Sequence, residues 1–478
     1  MCGFPLIVYK GGGSVIAAIH SGGVSDTPDA YATAFIYSEI IEGCEVLTQN
    51  GIFPVLSESE NLHQCDMPGV RSPFRYEILE NIRYFGKLRD REINMNQKSK
   101  VRRSSVGEKL IRPLRSVLKN AQEEKYGPPP MKPFMSHGKY FSPWNIALKS
   151  IAQPRSALNS CILNKVIETL SKRIIDGIGD TELKPLDLES AINGVSYDPF
   201  TRRMNTSTAS GFGWEGKKST ILPIVLDENN QVIREPVDDL KARIISKIDE
   251  YIEEKSFGYV YEAKLKDEPR LMEKNLVGKT RVFYVSPTED VIISRMFLSP
   301  FYTHMVEKSD LFCTAIGINM HVGSSDVVEP LLQFSSNIME GDYSAYDQHM
   351  PHDISRAAYS VIYNVLSEVG YNKCALRIVR GILSDNLFPL VEMNGDLFEA
   401  AGLQPSGKYA TAEDNSLKGI ILLMYAWYAN PALCGKDFFQ YVRPIVYGDD
   451  MLASVKECVS DLYNNQTYQS ACNDLFDM

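Results

Sequence analysis

Asp342 and Asp347 in Gly341-Asp342-Tyr343-Ser344-Ala345-Tyr346-Asp347, and the adjacent pair in Tyr447-Gly448-Asp449-Asp450-Met451, are the residues whose types and spacing most directly suggest chemistry. Each cluster closes an apolar run that reads as a strand, so a fold can bring Asp342, Asp449 and Asp450 together from separate strands. Carboxylates gathered in this way repel one another unless a cation or proton relieves them, and hard divalent cations prefer oxygen ligands. Two such ions, roughly 4 Å apart, can activate an attacking hydroxyl and stabilise a leaving oxygen in phosphoryl transfer. Gly-Asp-Asp is also ordinary turn chemistry, because Asp side chains hydrogen-bond nearby amides. Context has to separate the two readings.

Two further segments supply that context. Gly402-Leu403-Gln404-Pro405-Ser406-Gly407-Lys408-Tyr409-Ala410-Thr411 leads into Asn415-Ser416 and the apolar run Ile420 to Tyr425. Pro405 and Gly407 favour an irregular backbone ahead of a helix, leaving small side chains and amides free to approach a ligand. Thr411 and Asn415 then share one helical face, where a hydroxyl and an amide can read a ribose through its 2′-hydroxyl; a plain Ser/Gly turn with a helix N-cap is the alternative. Upstream, Lys264, Lys266, Arg270, Lys274, Lys279 and Arg281 run from a loop into the β-prone stretch Arg281 to Val285. They can neutralise a triphosphate or backbone phosphates, or form a solvated face.

In this order, the segments resemble the fingers and palm motifs of RNA-dependent RNA polymerases of positive-strand RNA viruses, specifically the picornavirus-like group. The resemblance rests on the Asp-x4-Asp of Asp342 and Asp347, the Ser-Gly-x3-Thr-x3-Asn-Ser of Ser406 through Ser416, and the Tyr-Gly-Asp-Asp of Tyr447 through Asp450. Lys266-Asp267-Glu268 and Lys279-Thr280-Arg281 resemble the basic fingers motif. It implies Asp342 and Asp449 as principal ligands for Mg2+, or Mn2+, with Asp450 beside them. It places Asp347 and Asn415 near the incoming ribose with Ser406 and Thr411, and Arg281, Lys274, Arg270 and Lys266 along the entering triphosphate. The implied reaction is attack of an RNA primer 3′-hydroxyl on the α-phosphate of a templated rNTP, with positioning and charge neutralisation supplying most of the catalysis.

The opening residues carry a second resemblance. Met1-Cys2-Gly3-Phe4-Pro5-Leu6-Ile7, followed by Ala17-Ala18-Ile19-His20-Ser21-Gly22-Gly23, is similar to the end of a chymotrypsin-like cysteine protease of the same virus group. Cys2 falls at the nucleophile position and His20 in the substrate pocket. A thiol without its general base is not a working nucleophile, so this remnant is expected to be inactive. An isolated Cys is otherwise a small apolar residue. Downstream of Val455 the family continues with a further palm strand, a helix and a thumb, so the chain reads as an internal slice of a polyprotein.

These elements need a scaffold. At 478 residues the chain can bury ample core and divides into more than one domain. The expected architecture is α+β: right-hand polymerase fingers and palm, thumb largely missing, preceded by a short β-rich half-barrel remnant. We expect the remnant over 1–50, a junction over 51–73 with Gln64-Cys65 as a cleavage candidate, fingers over 74–335 and palm over 336–478. Leu240, Ile244, Ile245, Ile248 and Ile252 predict an amphipathic helix ahead of the basic motif, and Ile354 to Val369 another in the palm. Gly127-Pro128-Pro129-Pro130 reads as a rigid turn.

A net charge of −10, if evenly spread, argues against nucleic-acid binding. Yet Arg89, Arg91, Lys98, Lys100, Arg102, Arg103, Lys109, Arg112, Arg115 and Lys119 form a basic stretch that can face template RNA or simply solvent. Nine cysteines without a Cys-x2-Cys pair suggest a reducing compartment and neither a disulfide framework nor a zinc site. The longest apolar run, Gly419 to Ala429, is too short to span a bilayer and reads as a buried helix. The resemblance implies template and primer RNA as partners, together with a protein primer and other viral replication proteins, in the host cytoplasm at membrane-associated replication complexes. Two other classes stay open. One is a reverse transcriptase, which the Ser-Gly segment and Asp347 disfavour; the other is a catalytically incomplete RNA-binding fragment, which would bind RNA salt-sensitively without incorporation.

Overall fold

The structure is a computed structural model; it describes the strand backbones 5–10, 13–23 and 30–34, then residues 82–88, 97–102, 104–106, 109, 126–153, 157–196, 198–255 and 258–478. Cys2, the junction with Gln64-Cys65, and Arg89, Arg91, Arg103, Arg112, Arg115 and Lys119 lie outside the described residues. The chain divides into two compact units, Met1–Glu77 and Ile78–Met478. In the first, strands Pro5–Lys10, Gly13–Gly23 and Ala30–Ala34 make an antiparallel meander, with His20 opposite Ala32 in the register.

The second unit is mixed α+β. Its larger sheet runs Val282–Val285, Val260–Leu265, Leu390–Met393, Asp396–Ala400, Ile82–Lys87, antiparallel except for the pair Val260–Leu265 and Leu390–Met393. It joins strands from the segments expected as fingers and as palm. The smaller sheet sets Asp450–Val455 between Asn337–Gly341 and Val442–Tyr447, all antiparallel. Burial alternates along Val442–Tyr447, so one face of this strand packs inward.

Helix Thr411–Ala429 is buried from Asp414 through Tyr428. Its buried polar residues Asp414, Asn415, Ser416 and Lys418 find partners inside the fold, and the apolar run from Ile420 onward offers no solvent face, so the helix becomes the spine of the unit. It packs against Val442–Tyr447 and against helices Ser160–Ile178 and His352–Glu368. Asn159 caps Ser160–Ile178 by accepting from the Cys161 and Ile162 amides, and Asn372 caps Lys373–Leu387 in the same way. Among the described residues no helix is long and apolar enough to cross a membrane.

The helix expected from Leu240 to Ile252 spans Asp238–Ile252, but its buried face differs. Leu240, Ile244, Lys247 and Tyr251 are buried, whereas Ile245 is exposed. Buried Asp385 turns the helix this way: it takes an ion pair from Lys247 at 3.3 Å and a hydrogen bond from the Tyr251 hydroxyl at 2.6 Å. The proline tract is more than a turn. Tyr126–Gly127 pairs with Arg270–Leu271, and the Pro128 and Pro130 carbonyls accept from Asn275 Nδ2 (3.1 Å) and Thr280 Oγ1 (2.7 Å), tying the tract to the basic motif.

Candidate active site

Strand register assembles the acidic centre. Gly341 pairs with Met451, and Tyr447 pairs with Asp450, so Asp342 leaves its strand at the same end of the sheet where the Gly448-Asp449 loop turns. Gly448 has φ of 63° at the first loop position, the left-handed requirement of a two-residue hairpin of the II′ kind. All three carboxylates are exposed. Partial burial, then the charges of Asp449 and Asp342, hold the Asp450 carboxyl above its usual range, which places the three within electrostatic reach.

Among the described residues, however, no three His, Cys, Asp or Glu side chains close into a ready-made cation cage. The donor set still suits magnesium, which keeps several waters and takes one or two carboxylates together with substrate phosphates.

Beside the hairpin lies a second constellation. Asn415 Nδ2 donates to Asp347 Oδ1 at 2.7 Å, the Gln404 amide donates to the Asp347 carbonyl at 3.1 Å, and the Tyr346 hydroxyl donates to the Asn415 carbonyl at 2.9 Å. Burial raises the Asp347 carboxyl; the Asn415 bond and the Lys418 charge oppose this, Asp449 adds to it, and Arg281 opposes it. Ser406 and Thr411 do not point at this pair. Ser406 Oγ accepts from the Tyr284 amide at 3.3 Å, and Thr411 Oγ1 donates to the Lys408 carbonyl at 2.9 Å. The loop packs so closely on the Val282–Val285 strand that a Cβ on Gly407 would lie 1.9 Å from the Tyr284 carbonyl oxygen, so only glycine fits.

The basic residues converge on one acid that the sequence does not single out. Glu268 takes Lys266 at 2.9 Å, Arg281 at 3.2 Å and Arg270 at 4.0 Å. Burial opposes ionisation of Glu268, but Lys266 and Arg281 outweigh it and pull the carboxyl below its usual range. Lys274 stands apart on the short exposed helix Met272–Leu276. Asp267 is held by Ser99 Oγ at 2.5 Å and the Lys100 amide at 2.6 Å, which anchors the described part of the basic stretch to this motif.

Ser416 also escapes sequence reasoning, although Asn-Ser at the helix start was its signal. Fully buried, its Oγ accepts from the Gly448 amide at 2.8 Å and donates to the Ala412 carbonyl at 2.8 Å, clipping the acidic hairpin to the helix that carries Asn415. Ser416→Ala is expected to cost about 1–2 kcal/mol of stability, read as a lower urea midpoint at unchanged m-value. A midpoint equal to the parent's would show that the clip contributes nothing in solution.

Comparison with known proteins places the chain as follows. A family model described as "Viral RNA-dependent RNA polymerase" matches residues 153–471. The replication polyprotein of Nora virus is 27% identical over 317 residues, covering 64% of this chain and 14% of that protein. RNA1 polyproteins of Broad bean wilt virus 1 and Andean potato mottle virus are each 24% identical, covering 70% and 69% of this chain and 18% and 46% of those proteins. The chain thus spans less than half the length of these curated relatives. A solved structure, the Sicinivirus 3Dpol RNA dependent RNA polymerase, shares the fold with a TM-score of 0.63 at 18% identity, over 80% of this chain and 74% of that one.

Proposed function

Because the chain belongs to the viral RNA-dependent RNA polymerase family, whose model covers two thirds of it, we propose that it carries out template-directed RNA synthesis in viral genome replication. The observation that carries this reading is the register that brings Asp342 and the Asp449-Asp450 hairpin to one sheet end beside the Asp347–Asn415 pair. Asp342 and Asp449, with Asp450 beside them, would hold magnesium or manganese, which when bound supplies charge neutralisation on the phosphates and activation of the primer 3′-hydroxyl. Asp347 and Asn415 would orient the ribose, with Ser406 and Thr411 shaping the loop that encloses it. Lys266, Arg270 and Arg281, preassembled on Glu268, would exchange that single acid for a triphosphate of higher charge, with Lys274 at the mouth. The 3′-hydroxyl then bonds to the α-phosphate and pyrophosphate leaves.

The partners on this reading are template and primer RNA and rNTPs, together with a protein primer and other replication proteins in the host cytoplasm at membrane-associated complexes. The N-terminal meander is read as the protease remnant, with His20 on its middle strand and no catalysis expected. The test is extension of a labelled RNA primer on a short RNA template with rNTPs or dNTPs and Mg2+. Templated rNTP incorporation is expected. Preference for dNTPs would instead indicate a reverse transcriptase, and salt-sensitive RNA binding without any incorporation would indicate a binding fragment.

A further inference from the structure

The Lys418 side chain is fully buried in the middle of the spine helix, one turn beyond Asn415. Lysines are almost never fully buried without a role that compensates the lost hydration. Its Nζ donates to Gln404 Oε1 at 2.6 Å and lies 5.4 Å from the centre of the Tyr359 ring. Gln404, itself fully buried, holds the Asp347 carbonyl through its backbone amide. Burial pushes the Lys418 amine down to about 7, so the bond to Gln404, which either protonation state can donate, is its constant contact; in its charged form it also acts on the Asp347 carboxyl, as the strongest charge opposing the effect of burial there.

The consequence falls on Asn415. An ionised carboxylate can only accept hydrogen bonds, so while Asp347 is charged the Asn415 amide must turn its NH2 towards it. That orientation leaves Asn415 Oδ1 buried and unpartnered, in a residue only 6% exposed. A lone buried acceptor calls for a hydroxyl donor, and a ribose 2′-hydroxyl is one, whereas a deoxyribose has nothing to give. A protonated Asp347 could instead donate to Oδ1, and the amide would flip and present its donor face.

We propose that Lys418 is a positioning residue for sugar discrimination: through Gln404 and the Asp347 carboxylate it fixes the Asn415 amide with its acceptor towards the incoming ribose. This rests on the polymerase reading above for the identity of the ligand. It assigns discrimination to a side chain that cannot itself touch the nucleotide.

The experiment compares the whole chain with Lys418→Met, Asn415→Ala and the double variant. It measures GTP and dGTP affinity by equilibrium binding, and GTP and dGTP incorporation opposite a templating C. Lys418→Met is expected to weaken the ribose preference roughly tenfold or more, through the GTP constants and not those of dGTP. In the Asn415→Ala background it should change nothing further, because Lys418 acts through that amide. An unchanged preference in Lys418→Met, or an equal additional loss in the double variant, overturns the proposal. Should Lys418→Met fail to fold, Asp347→Asn removes the same acceptor-only constraint at constant volume and is expected to lose the preference in the same way; a retained preference there overturns the proposal equally. Absence of incorporation by the wild-type chain would sink the polymerase reading, while the binding preference would still decide the role of Lys418.

Discussion

Asp449→Ala is expected to abolish nucleotide incorporation, by roughly three orders of magnitude or more, the scale set by removing a key charge from a phosphoryl-transfer centre. Stability should scarcely move. Asp449 sits exposed at the tip of a two-residue loop, next to Asp450. Removing it breaks no packing and relieves like-charge repulsion, so the urea midpoint should stay within about 0.5 kcal/mol of the parent. The Asp450 carboxyl should also fall back towards its ordinary range, since Asp449 helps to hold it up. The pair of measurements is primer extension and chemical denaturation on the same preparation. Retained incorporation would remove Asp449 from the acidic centre, and a large loss of stability would mean the hairpin tip is structural.

The opposite profile is expected at Asp414, where the effect is on folding. Lys408 and Asp414 form an ion pair with both side chains essentially buried, and the Tyr302 hydroxyl donates to the same carboxylate. Burial opposes the Lys408 charge, but Asp414 and then Tyr359 outweigh it and keep the ammonium well above its usual range. Asp414→Ala strands that ammonium in the core, at an expected cost of about 3–5 kcal/mol. Combining Lys408→Met with Asp414→Leu should recover most of the loss, because an apolar pair of similar volume owes no desolvation. Urea denaturation of the three variants checks this. A single-variant loss below about 1 kcal/mol, the size of an exposed pair, would contradict the burial.

What the sequence made legible was the part encoded by local grammar. The two Asp clusters, the Ser406-Gly407 loop, the strand at Val282 and the helix starting near Ile354 each follow from apolar periodicity and turn residues within a short window. Ser416 and Glu268 were in view but their partners were not, because Gly448 and Arg281 are brought to them by tertiary packing. Lys247, Lys408, Asp414 and Lys418 were invisible for a sharper reason. In a sequence a charged residue counts as solvent-facing, and only knowledge of which counter-charge waits inside could reverse that, as Asp385 does for Lys247. The larger sheet was equally out of reach, since its one parallel pair joins Val260–Leu265 to Leu390–Met393 across more than a hundred residues.

The order of strands in the smaller sheet has a consequence in time. Its middle strand, Asp450–Val455, is the last of the three in the chain, so on the ribosome Asn337–Gly341 has no neighbour until that strand arrives. At about 5–20 residues per second, roughly 5–20 s separate the synthesis of Asp342 from that of Asp449. Throughout that interval the earlier strand is an unpaired edge, open to wrong partners, and the two Asp clusters do not yet share a sheet end. The acidic centre is thereby a late event of translation, completed by the same strand that closes the sheet.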